Sequence, residues 1–127
     1  MNKSQKGDYC ELLVLTRITE LGMQAAVPFG NQAGWDLLVF DDGRWQRWQV
    51  KTAYQRARSG KSMYVDFIRS ADRKNGMGGT GAKGYSNGDF DYLIAVLPET
   101  KEMWKLPISE CCDRRCRTFS RDKFVWE

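Results

Sequence analysis

Two apolar runs joined by a tight turn constrain this chain more than any other feature. Trp35 to Phe40 reads as a buried strand, Asp41-Asp42-Gly43 as a hairpin turn, and Arg44 to Tyr54 as a long return strand. A hairpin of that length has to bury one face, which commits the chain to a sheet and fixes which side chains point inward. Asp36 heads the first strand. Gln49 and Lys51 lie two apart on the second and therefore project from one face.

The rest of the sequence fits around that hairpin as one domain, residues 1–127, with 42% apolar residues to build a core. No apolar run approaches the roughly 18 to 20 residues a membrane span requires. The amino terminus, Met1 to Lys6, lacks the apolar stretch of a secretory signal. The expectation is a soluble cytoplasmic protein that is neither secreted nor bound to a membrane.

Charge is unevenly placed. Residues 1–43 carry three Lys/Arg against six Asp/Glu, residues 44–88 ten against two, and residues 89–127 seven against eight. Basic charge concentrated in one third of a chain suits a polyanion partner, because each neutralised phosphate releases condensed counterions. An ordinary solvated surface is the competing explanation. Histidine is absent, which removes Ser-His-Asp and Cys-His machinery, His-ligated zinc and a histidine base. Cys10, Cys111, Cys112 and Cys116 lack the paired spacing of a zinc site, and they read as reduced thiols.

Upstream of the hairpin, Asp8 with Glu11 suits a helix start and Gly22 its end. Leu12, Val14, Leu15, Ile18 and Leu21 form an apolar arc, with Glu11 projecting to its middle. A carboxylate there either caps the helix or points into a site beneath it. Ala25 to Val27 reads as a short strand, and Phe29 to Gly34 as a polar loop. Downstream, Met63 to Ile68 and Phe90 to Leu97 read as strands. Met103 to Leu106 pairs with the latter and Pro107 ends it. Ser70 to Gly88 holds six glycines and reads as a long functional or disordered loop. Past residue 113 the chain is a basic tail with interspersed aromatics.

Asp36, Gln49, Val50 and Lys51 suggest metal-assisted phosphodiester chemistry. Mg²⁺ takes hard oxygen ligands: Asp36 as anionic anchor, the Gln49 side-chain carbonyl and the Val50 main-chain carbonyl as neutral donors, and Glu11 as a second negative charge. Lys51 would orient the attacking water or neutralise developing charge. Singly, Asp36 also reads as a strand-edge residue satisfied by backbone donors, and Gln49 and Lys51 as a polar face in water.

The stretches Gly7 to Gly22 with Glu11, Gly34-Trp35-Asp36-Leu37-Leu38-Val39 and Trp48-Gln49-Val50-Lys51-Thr52-Ala53 resemble the PD-(D/E)XK nuclease superfamily, of restriction-endonuclease-like fold. Within it the layout is similar to the bacterial intron-encoded homing endonucleases and the archaeal Holliday-junction resolvases. A weaker match covers Tyr85 and Phe90 to Val96. Trp35 stands where Pro is usual before the acid, and Gln49 replaces the usual acid, which removes one charge. The resemblance implies an α/β fold with a mixed β-sheet flanked by an N-terminal helix. It implies a catalytic set of Glu11, Asp36, Gln49 and Lys51, with Mg²⁺ as cofactor (Mn²⁺ able to substitute) and a homodimer or homotetramer acting on double-stranded DNA. Site-specific cleavage is the expected activity; a structure-specific junction resolvase and a non-cleaving DNA-binding module are the alternatives.

Arg56, Arg58, Lys61, Arg73, Lys74 and Lys83 suit phosphate contacts, and Asn75 or Asn87 base edges. Gly60-Lys61-Ser62 is not a phosphate loop, since Gln55 stands where its first glycine belongs. Trp45, Trp48, Tyr54 and Tyr64 admit a single-strand binding platform, unless they are buried.

Overall fold

The computed structural model describes residues 1–30, 34–56, 58–67 and 85–126. Helix α1 (Lys3–Glu20) precedes strands β1 (Gln24–Ala26), β2 (Leu37–Asp41), β3 (Arg44–Gln55), β4 (Ser62–Asp66), β5 (Tyr92–Leu97), β6 (Glu102–Pro107) and β7 (Cys116–Ser120). A short 3-10 helix, Ile108–Glu110, lies between the last two strands.

The helix begins before the Asp8 cap expected from sequence. Asn2 is the cap: its side chain accepts the Gln5 N–H at 2.8 Å, and the Gln5 side chain accepts the Asn2 N–H at 2.9 Å. This reciprocal box satisfies two donors that a helix start otherwise leaves open. Cys10, Val14 and Ile18, four apart, form the buried stripe, whereas Leu12 and Leu21 of the expected arc are exposed. Gly22, at φ +74°, supplies the left-handed residue after the helix, as expected.

The hairpin is confirmed, with Asp41 opposite Arg44 and both turn residues, Asp42 and Gly43, at positive φ. Two such residues match the twist of the flanking strands. The β2 ladder starts at Leu37, so Trp35 and Asp36 precede the strand instead of opening it. β1 pairs antiparallel with β2, β4 with β3, β7 with β4, and β6 with β5. β3 and β5 run parallel, from Trp48 opposite Tyr92 to Thr52 opposite Val96. The result is a mixed sheet flanked by an N-terminal helix. β7 lies in what the sequence presented as a basic tail; Phe119 opposite Met63 turns that segment inward.

Period-two alternation divides the core between two faces. Cys10, Val14 and Ile18 pack on Leu37, Val39, Trp48, Val50, Ile94, Val96 and Met103. On the opposite face Leu93, Ala95, Leu97, Trp104 and Leu106 meet Met63, Val65 and Phe119. β3, β5 and β6 contribute to both cores and are therefore the most constrained strands, and the candidate site lies on the first of them. Among the described residues no helix is long and apolar enough to cross a membrane.

Candidate active site

The site is built where β3 outruns its partner β2. The β2 ladder reaches Trp48 and the β4 ladder begins at Ala53, so residues 49–52 carry a strand ladder to β5 alone. The Trp48 carbonyl accepts the Asp36 N–H at 2.9 Å and so faces the β2 side. Main-chain groups two residues apart on a strand face the same way, which turns the Val50 N–H and C=O to that side as well. Asp36 fills the place of the next β2 partner: its Oδ2 accepts the Val50 N–H at 2.8 Å. Its carboxylate and the Val50 carbonyl thus share one notch beside the sheet, not the sheet's outer edge.

Gln49 and Lys51 share the face of β3 turned away from α1, because Trp48 and Val50 pack beneath the helix. Glu11 approaches from the helix side. Cys10 Sγ and Thr52 Oγ1 are 3.4 Å apart, which sets the height of α1 over β3 and with it the position of the next residue, Glu11. Burial, then the Asp36 charge and then Asp8, push the Glu11 carboxyl up to about 7. Burial likewise raises Asp36, against the pull of the Val50 N–H and of Lys51. Asp36 is therefore the group on which the field of Glu11 and the field of Lys51 meet.

The Asp36 carboxylate beside the Val50 main chain, with Glu11 close enough to feel its charge, offers hard oxygen donors for a divalent cation, whereas the Gln49 side chain starts from the opposite face of β3. Asp36, Glu11 and the Val50 carbonyl are the groups that could hold such a cation, and Gln49 would have to reach it around the strand from the other face. Among the described residues no cluster of three or more acidic, Cys or His side chains is present.

The expected DNA contacts divide. Arg56, Arg58, Lys61 and Asn87 are exposed, and the Arg56 guanidinium lies 5.2 Å from the Tyr64 ring centre. Arg73, Lys74, Asn75 and Lys83 lie outside the described residues. The sequence reading passed over two cations near the site. Lys6 lies over the Tyr54 ring at 5.6 Å. The Arg47 N–H donates to Asp91 Oδ2 at 2.7 Å, while its Nη1 donates to the Gly88 carbonyl at 2.7 Å. The place of Arg47 two residues before Gln49 was the available signal.

Comparison with known proteins gives three findings. Residues 1–121 match the family described as PD-(D/E)XK endonuclease. Protein 5.3 of Escherichia phage T7 is 33% identical over 94 residues, which cover 73% of this chain and 71% of that protein. The solved structure of the bacterial homing endonuclease I-Ssp6803I superposes with a TM-score of 0.71 over 94% of this chain and 78% of its own, at 19% identity. That last likeness is one of fold.

Proposed function

Because the chain belongs to the PD-(D/E)XK endonuclease family, we propose that residues 1–127 form one Mg²⁺-dependent endonuclease domain that hydrolyses phosphodiester bonds in double-stranded DNA at specific sites. The observation that supports this reading is the notch beside β3, where the Asp36 carboxylate sits on the Val50 N–H and where burial, and then the Asp36 charge, push up the Glu11 carboxyl.

Asp36 and Glu11 would hold the cation, with Gln49 and Val50 as neutral donors. When bound, the divalent ion polarises the scissile phosphate and acidifies water. Lys51, whose positive charge already reaches Asp36, would orient the attacking water and offset negative charge gathering on phosphorus oxygens. Gln49 contributes a dipole where the family pattern has an acid, so the set carries one negative charge fewer and metal affinity should be correspondingly lower. Mn²⁺ is expected to replace Mg²⁺. One chain of this size spans only part of a long recognition site, so a two-fold assembly is part of the proposal.

The test is incubation of the protein with a panel of duplex and four-way-junction DNA in Mg²⁺ or Mn²⁺, followed by mapping of ends. Cutting of one duplex sequence with junctions untouched is the expected result, and junction cleavage alone would make the protein a resolvase. Lys51→Ala should lose cleavage by at least about a hundredfold and keep DNA affinity. Parallel loss of both would make Lys51 a phosphate contact instead.

A further inference from the structure

One part of the sheet face turned away from α1 remains open. Phe40 and Trp45 stand opposite each other across the β2–β3 hairpin, 39% and 49% exposed, with ring centres 5.3 Å apart in an edge-on arrangement. The core on that face is built on β5 and β6 by β4 and β7 and does not include either ring. Two adjoining exposed rings form a small apolar patch of the kind a ligand can cover.

Their position relates them to the site. Gln46, Trp48 and Val50 are buried, the latter two beneath α1; alternation then places Trp45, Arg47, Gln49 and Lys51 in one file on the open face. At about 3.3 Å per residue, Trp45 is roughly 20 Å from Lys51 along the strand. The Arg47 guanidinium is held at the rim of this face by Gly88 and Asp91, and Arg44 is exposed beside Trp45.

A second copy of the chain is a poor occupant. A stable interface needs about 800 Å² per partner with a core poor in charge, whereas these two rings stand among Gln24, Asp42, Arg44 and Arg47. A nucleobase supplies a flat π-face for the indole, and a neighbouring phosphate supplies a partner for the exposed Arg44, Arg47 being already paired with Asp91. We infer that Trp45, backed by Phe40, is a stacking platform for a nucleobase that leaves the stack of duplex DNA lying along β3 from Lys51, so that DNA with a base already unpaired binds more tightly. The inference rests on the nuclease reading for its substrate but not for its test.

The test is equilibrium binding in EDTA of a fluorescein-labelled duplex and of the same duplex with a central unpaired bubble. Wild-type protein should prefer the bubble. Trp45→Ala should weaken bubble binding by roughly tenfold and duplex binding by less than about twofold, while Trp45→Phe keeps most of the preference. The emission difference between wild type and Trp45→Phe should be quenched by the bubble probe, a readout that does not depend on the alanine variant folding. Equal affinity of wild type for the two probes, an alanine variant that binds the bubble as wild type does, or dissociation of a wild-type oligomer on Trp45→Ala would each overturn the inference. Failure of wild-type protein to cut any DNA in Mg²⁺ would instead count against the nuclease reading and leave this comparison intact.

Discussion

Asp36 combines two demands that different substitutions separate. One is an acceptor for the Val50 N–H, the other a negative charge beside Glu11. Asp36→Asn keeps an acceptor of the same size and removes the charge; cleavage should disappear while the urea midpoint barely moves. Asp36→Ala removes both and leaves a backbone donor without its partner, at a cost of about 1–3 kcal/mol in urea unfolding. Cutting by Asp36→Asn at the wild-type rate would refute the proposed role.

Glu11 carries a pH signature. Its carboxyl titrates at about 7 in the folded chain against an ordinary value of 4.5. Between those values the unfolded chain has released a proton that the folded chain still holds, so stability falls as pH rises through the window. In EDTA, Glu11→Gln should therefore melt above wild type at pH 8 and alongside it at pH 4. Mg²⁺ should raise the wild-type melting temperature and erase the difference, because the cation relieves the repulsion between the two carboxylates. An advantage of Glu11→Gln that is constant with pH would show that burial and Asp36 do not raise the Glu11 carboxyl in the folded chain.

Among elements, the β2–β3 hairpin positions the site, since its register decides which β3 residue meets Asp36. Gly43, at φ +76°, occupies the second turn position, with open space around the place of a Cβ. Gly43→Ala should cost about 1 kcal/mol through backbone strain alone, seen as a lower urea midpoint at unchanged slope. A change of slope would mean that the substitution altered the surface exposed on unfolding and not backbone strain alone. This hairpin was legible because turn residues and period-two alternation act within a dozen residues. The start of α1 was misread because Asn2 and Gln5 form the same kind of cap as Asp8 and Glu11, and a polar first turn resembles a loose end. β7 was missed for a different reason: Cys116 to Ser120 has little strand character of its own and takes it from pairing with β4.

Across the whole molecule, the layering decides which groups remain accessible. The helix covers one face, β4 and β7 cover part of the other, and the notch and the Phe40–Trp45 pair lie where coverage stops. A two-fold assembly should appear in sedimentation as a dimer or tetramer, and monomers at all accessible concentrations would exclude it. DNA binding should weaken steeply with salt, by about one power of salt concentration for each phosphate neutralised.

The chain's own order of residues determined the hairpin, the buried stripe of the helix in its later turns, and the candidate set Glu11, Asp36, Gln49, Val50 and Lys51. Those follow from backbone stereochemistry and from hydrophobic period, which operate over short stretches. Tertiary structure alone decided that the β2 ladder ends opposite Trp48 and leaves a notch for Asp36, that Glu11 and Asp36 share a field, and that Trp48 is buried while Trp45 is open. Each of these depends on which surfaces far apart in sequence cover one another, and burial and electrostatic repulsion arise only once those surfaces are packed.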